Sequence, residues 1–490
     1  MTFLKHHKKT VWLLAGIAIA LILYFIDPFA VGKSAALVLA IGGLMITWWI
    51  TEALPMPVVA LVPLVAFPLF KLGTLEETAA PYANPVIFLF MGGFMLGLAI
   101  EKWNLHKRIA LNIVRVTGTS GNRIVLGFIM ATGLLSMWLS NTATTMMMFP
   151  IALSVIHVIK ENHKGDGNTR YFAVAIMLAI AYASNIGGIA TIIGTPPNVA
   201  YVGYIQKKYH IEVDFVDWML VCAPLAIILL FCLYFVLVKW LFPNRIKADI
   251  QTRHLIRDEI NKLGPVSVAE KRVLIIFVGT ALLWIFRALI NGAQPFFKLD
   301  DTMIALICAL ALFIFPAGKV ENGNEDKERK TLLDWEDTQK MAWGILLLFG
   351  GGIALAGAME KAGLIQELGH WLGQFSNAGF ILVLVTVFVS LFISEVMSNV
   401  AQVIVFAPVI SALADAVGMN PLLLGIPMTL GASCAGMLPM GTPPNAIVFA
   451  SGHVRLKEMV KAGFIMNIIA IVLISLFCWF LLPRLMHVPH

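Results

Sequence analysis

The chain has 490 residues, 59% of them apolar and 13% charged, with a mean hydropathy of +0.86. That balance excludes an ordinary soluble domain and indicates a polytopic membrane protein. The net charge of +7 does not imply a nucleic-acid partner, because the basic residues sit in short loops between apolar runs, where membrane topology accounts for them.

The first ten residues, MTFLKHHKKT, precede an apolar run as a signal peptide's basic region would. No small-residue cleavage site follows in LYFIDPFAVGK, so a retained first span is expected. About 20 apolar residues span a bilayer as helix, and such runs recur from 11–25 and 35–50 through to 465–482. With the N-terminus in the cytoplasm of a cell (inner) membrane protein, 27 of the 35 Lys and Arg fall inside. The rest (Lys33, Lys71, Lys207, Lys208, Arg287, Lys298, Lys361 and Arg484) fall outside. This asymmetry predicts about eleven crossings if two further apolar segments enter and leave on one side.

Those segments are 123–159, interrupted by SNTATT, and 380–413, interrupted by SNVAQ. Each is expected to be a re-entrant helical hairpin. Between them, 244–265 has helical periodicity and mixed charge and is expected to be an interfacial helix, while 318–337 reads as a polar loop. The five cysteines (Cys222, Cys232, Cys308, Cys434, Cys478) lie in or beside apolar runs without metal or disulfide spacing.

The two halves repeat. FMGGFMLGLAIEKWNL (90–105) aligns with FGGGIALAGAMEKAGL (349–364), and IIGTPPNVA (192–200) matches LPMGTPPNAI (438–447). Each half runs glycine pair, Ser-Asn hairpin, then Gly-Thr-Pro-Pro-Asn. The odd number of crossings between equivalents makes the repeats inverted, an architecture typical of secondary transporters. The expected fold is therefore all-α, with about eleven transmembrane helices, two re-entrant hairpins and two broken helices.

A single Ser-Asn pair in a membrane helix usually bonds its own backbone or caps a turn. Here the pair recurs, and each copy is followed by adjacent prolines that a continuous helix cannot hold. The spans 171–209 and 421–452 are therefore expected to break at 195–197 and 442–444. A broken helix leaves carbonyls free at one end, suited to a cation, and amides at the other, suited to an anion. Two such units offer neutral oxygens, which hard cations such as Na⁺ prefer, around one cavity. Neither motif contains Lys or Arg, so an anion there relies on helix ends and co-bound cations.

These motifs resemble the divalent anion/sodium symporter family, which carries dicarboxylates, tricarboxylates or sulfate, over almost the whole chain. The resemblance implies a homodimer in the lipid bilayer, working by an elevator-like movement of transport against scaffold domains. Scaffold would comprise 1–122 and 266–378, transport 123–243 and 379–490, with 244–265 as linker. By motif match one Na⁺ site would use Ser136, Ser140, Asn141 and Gly194, and a second Ser394, Met397, Asn399 and Gly441. The anion would meet Ser140, Asn141, Thr142, Thr195, Pro196, Ser398, Asn399, Val400, Thr442 and Pro443. The implied activity is uptake of C4-dicarboxylates (succinate, malate, fumarate) with two or more Na⁺ and no organic cofactor. Val400 stands where many members have Thr, and members with Val include citrate carriers, which leaves di- and tricarboxylates both open. Sulfate symport and sodium-independent exchange also occur within this fold.

Glu395 is the one carboxylate beside a motif, open to a role behind the cation site or in proton coupling. The eleven histidines fall in loops or at helix ends, unlike a proton relay or metal cluster, and Met146, Met147 and Met148 read as packing residues. A membrane-embedded enzyme would need a nucleophile with its base, or a metal-ligand set, and neither pattern occurs. A channel would not explain paired broken helices.

Overall fold

The computed structural model describes residues 2–27, 32–162, 167–246, 250–318, 331–365, 367 and 379–486. The expected loop 318–337 lies largely outside the described residues, which resume at Thr331. Among the described residues there is no strand, only an isolated bridge between Pro316 and Thr331.

The principal helices are α1 (Thr2–Ile26), α2 (Lys33–Thr51), α3 (Pro85–Lys102), α4 (Leu105–Thr117), α5 (Gly121–Ser136) and α6 (Asn141–Asn162). There follow α7 (Gly167–Gly188), α8 (Pro196–Tyr209), α9 (Phe215–Tyr234), α10 (Ile250–Lys262), α11 (Val268–Ala293) and α12 (Asp301–Ile314). The last six are α13 (Trp343–Lys361), α14 (Gly379–Ser394), α15 (Asn399–Ala416), α16 (Pro421–Ser433), α17 (Pro443–Ala450) and α18 (Leu456–Phe480). Ten helices among the described residues are long and apolar enough to cross a membrane. They include most of α6 and all of α15, which the sequence assigns to hairpins, whereas α12 has only 14 residues.

Within 244–265, where an interfacial helix is expected, the chain forms the helix α10. Arg108 of α4 fixes its end: Nε donates to Glu270 Oε1 at 2.8 Å, and the guanidinium also reaches the carbonyls of Leu263 and Gly264.

Each half places a hairpin against a broken helix. α5 and α6 are joined by 137–140 and α14 and α15 by 395–398, so both chain reversals fall at the Ser-Asn motifs. α5 runs along α7, and α14 along α16. α7 from Phe172 onward and α16 are almost wholly apolar because they are buried on all sides, and every residue of α16 is inside the protein. Small residues allow this closeness: a Cβ on Gly187 of α7 would collide with the backbone of Gly133 in α5. By contrast α1 and α11 expose apolar side chains around most of their circumference, as lipid-facing helices do.

The halves interlock crosswise. α7 packs on α17 and α8 on α16, while α6 packs on α17 and α8 on α15.

The breaks are longer than the prolines require. α7 ends at Gly188 and α16 at Ser433, well before Pro196 and Pro443. The reason lies in the fifth residue of Gly-Thr-Pro-Pro-Asn. Asn198 Nδ2 donates to the carbonyls of Gly188 and Thr191 at 3.2 and 2.9 Å. Asn445 Nδ2 does the same for Ala435 and Leu438 at 3.1 and 3.2 Å. Each asparagine thus satisfies carbonyls freed at the end of the preceding half-helix, while the prolines occupy the first two positions of the next, where no amide is missed.

Candidate functional site

Four helices begin at one place. α6 starts at Asn141, α8 at Pro196, α15 at Asn399 and α17 at Pro443, preceded by Ser140, Thr195, Ser398 and Thr442. All eight residues line a single cavity of about 1250 Å³. The positive ends of four helix dipoles therefore face one space, a strong attraction for an anion. Thr142 and Val400 line it as well, so the structure brings together every residue expected to meet the anion. Asn141, Thr195 and Thr442 are buried at its floor, whereas exposed Lys9, Glu52, Glu101 and Lys340 mark the opening. Those two lysines are its only basic residues among the described residues, so nothing at the floor carries a positive side chain.

In the first half, Ser136 Oγ donates to Asn141 Oδ1 at 2.8 Å, and Asn141 Nδ2 lies 3.5 Å from Thr195 Oγ1. Ser140 Oγ accepts from the amide of Ala143 at 3.2 Å and closes the first turn of α6. Gly194 is pressed against the carbonyls of Gly188 and Met137. Met137 O also accepts the Thr191 hydroxyl at 2.5 Å, so neutral oxygens gather behind the cavity wall. Ser136 and Gly194 sit in this second row, away from the wall itself.

The second half is built differently. Ser394, the counterpart of Ser136, donates to the carbonyl of Ala432 at 2.5 Å. Met397, Asn399 and Gly441 line the cavity, and Ser394 is buried behind them. Where the first half has Met137, the second has Glu395, 3% exposed. Its Oε1 accepts the amides of Gly436 and Met437, both at 2.9 Å, and Asn467 Nδ2 at 2.7 Å. Its Oε2 accepts the amides of Met437 and Leu438 at 3.0 and 2.9 Å. Four donors thus make five contacts with the carboxylate and tie Glu395 to the second break, an arrangement that fits the reading behind the cation site.

Sequence reading missed Asn185, Asn198, Asn445 and Asn467 as working residues. Asn198 and Asn445 stand in the quoted repeat, and the need to cap a broken helix points to them. Asn185 and Asn467 carried another signal, an amide inside a long apolar run, where an unpaired polar group is costly. Met146 also departs from expectation: it is 62% exposed, while Met148 is fully buried. Among the described residues no three His, Cys, Asp or Glu are placed to hold a metal ion, and His106 is engaged with the carbonyl of Ile100 at 2.9 Å.

Helices that span a membrane, paired breaks and an anion-attracting cavity between them define a polytopic α-helical transporter. Residues 7–486 match the sodium:sulfate symporter transmembrane region, and the chain belongs to that family. It is 40% identical over 477 residues to the sodium-dependent dicarboxylate transporter SdcS of Staphylococcus saprophyticus, covering 96% of this chain and 91% of that one. The protein of the same name from Staphylococcus aureus is 39% identical over 497 residues, covering 99% and 94%. Among solved structures, the Neisseria gonorrhoeae antimetabolite efflux pump MtrF superposes with a TM-score of 0.56 at 14% identity, covering 85% of each chain. The Alcanivorax borkumensis transporter YdaH gives 0.55 at 15% identity, over 89% of this chain and 97% of its own. These two likenesses concern the fold alone.

Proposed function

We propose that the protein couples inward Na⁺ movement to uptake of a C4-dicarboxylate such as succinate, malate or fumarate. The observation that carries this reading is the convergence of four helix N-termini on a cavity whose floor has no basic side chain. An anion there is held by Ser140, Asn141, Thr142, Thr195, Ser398, Asn399 and Thr442, with Pro196, Val400 and Pro443 shaping the wall. Two Na⁺ supply the missing positive charge, one among Ser136, Ser140, Asn141 and Gly194, the other among Ser394, Met397, Asn399 and Gly441. The names of the staphylococcal relatives support both the cation and the substrate class.

The protein acts without chemical change of its substrate, as a homodimer in the cell (inner) membrane with a cytoplasmic N-terminus. The division into scaffold and transport parts stated above, and elevator-type exchange between the two sides, belong to the same reading. Since Lys9 stands at the cavity's opening, this form faces the cytoplasm. Citrate is the second reading, favoured by Val400 at the wall.

The test is uptake of labelled succinate into proteoliposomes with and without an inward Na⁺ gradient. Na⁺-stimulated uptake is expected. Exchange that ignores Na⁺, or transport of sulfate in place of succinate, would overturn the proposal.

A further inference from the structure

The hydroxyl of Thr442 is surrounded by donors. Asn185 Nδ2 donates to Oγ1 at 3.0 Å, and the amide of Asn445 donates to the same oxygen at 3.4 Å. A threonine oxygen has two lone pairs and one proton, so both lone pairs are taken and only the proton remains to be given. Among the described residues it finds no acceptor, and Thr442 lines the cavity.

The orientation of Asn185 follows from its neighbour. Asn445 Nδ2 is committed to the carbonyls of Ala435 and Leu438, which turns Asn445 Oδ1 the other way. That oxygen lies 3.5 Å from Asn185 Nδ2, so a reversed Asn185 amide would set two carbonyl oxygens against each other. Asn185 is 2% exposed at the cavity lining, and among the described residues its own Oδ1 has no partner, so the contacts that hold its amide are those of Nδ2 with Thr442 and Asn445.

The first half has no such arrangement. Ala432 is the counterpart of Asn185 in the aligned repeats, and it has no amide to offer. Among the described residues Thr195 Oγ1 meets only Asn141 Nδ2, at 3.5 Å, so its hydroxyl retains the choice of donating or accepting.

We infer that Asn185 is a positioning residue that makes Thr442 an obligate hydrogen-bond donor to one carboxylate of the transported anion, while Thr195 at the other threonine position stays adaptable. The inference rests on the proposed dicarboxylate site and adds to it a residue from the first half that sets the polarity of the second. An anion bound across both halves therefore meets a fixed donor at one end, and that end has to be an acceptor.

The test is a double-mutant cycle read as the KM for succinate at saturating Na⁺ in proteoliposomes. Asn185→Ala and Thr442→Val are each expected to raise KM by about two- to tenfold, the scale of one neutral hydrogen bond. The double variant is expected to be no worse than Thr442→Val, because Asn185 acts through that hydroxyl. Half-saturating Na⁺, measured at saturating succinate, is expected to stay within twofold throughout. Asn185→Asp keeps the shape of the side chain but accepts the threonine proton, so its KM should rise above that of Asn185→Ala. Size-exclusion profiles establish that each variant is folded. Multiplicative losses in the double variant, a normal KM in Thr442→Val, or a normal KM in Asn185→Asp would each overturn the inference. Absence of Na⁺-driven uptake by the parent protein would remove the functional reading and this inference with it.

Discussion

Phe90 of α3 and Phe349 of α13 meet edge to face, with ring centroids 5.6 Å apart and planes inclined by 62°. They are the first residues of the two aligned repeats, so each phenylalanine touches its own counterpart. Self-contact between equivalents is what a two-fold relation between halves produces, since only residues beside the axis can meet themselves. The crosswise packing of α7 on α17 and α8 on α16 obeys the same relation. The two motifs of each half are thereby carried to the same cavity, which a simple tandem repeat would not achieve.

Asn141→Ala and Asn399→Ala should each abolish Na⁺-driven uptake while leaving a folded protein. Each asparagine begins a helix at the cavity and is proposed to serve a cation and the anion together. Uptake above half of the parent rate by either variant, at matched expression, would remove it from the site.

Glu395→Gln should lower thermal stability by about 3 kcal/mol, because an amide group would confront backbone donors now received by a carboxylate oxygen. Unfolding in detergent, followed by intrinsic fluorescence, measures this. The parent protein should also move succinate without moving protons through this residue. A lumenal pH indicator that reports Glu395-dependent proton entry with succinate would refute the anchoring role.

Val400→Thr should alter the preference between succinate and citrate more than it alters Na⁺ dependence. Val400 is half-buried on the cavity wall, next to Asn399, and a hydroxyl there adds a donor worth about 0.5–1.5 kcal/mol, or up to about tenfold in relative affinity. Inhibition of labelled succinate uptake by unlabelled citrate at one fixed pH is the measurement. Superimposable curves for the two proteins would mean that position 400 does not face the anion.

Acidification should loosen the contact between α6 and the loop after α17. His453 Nδ1 lies 3.5 Å from Lys160 Nζ, and burial, reinforced by the lysine's charge, lowers the imidazole pKa. A lowered folded-state value means the contact is intact at pH 7.5 and weakens as pH falls through the ordinary histidine range near 6.5 and below. The neighbouring pair of Arg170 and Glu458, 2.5 Å apart, should persist. Hydrogen exchange of 451–455 is expected to be faster at pH 5.5 than at 7.5, by less than about 1 kcal/mol of opening energy. Equal rates would count against it.

Much of this site could be read before folding because its chemistry is local. Ser140-Asn141 and Ser398-Asn399 announce chain reversals, and Pro196-Pro197 and Pro443-Pro444 announce helix restarts, from the backbone limits of a few adjacent residues. The length of each break could not be read, because α7 and α16 stop where Asn198 and Asn445 reach back across it. The anchoring of Glu395 depends on amides about 40 residues away and on Asn467 further still, partners that no spacing rule supplies. The number of crossings also resists a reading by length, since α12 is short and α6 and α15 are long for hairpin arms.

The absence of a basic side chain at the cavity floor has a consequence for leakage. A lysine there would let an anion bind unaccompanied, and the carrier would then reset with or without its cations. Helix ends alone leave a bound dicarboxylate under-neutralised, and they repel a cation that arrives without one. In a carrier working as proposed, each partially filled state is therefore the least stable. In such a carrier half-loaded transits would be suppressed by the backbone itself, and a cell with a modest sodium gradient would lose little of it to slippage.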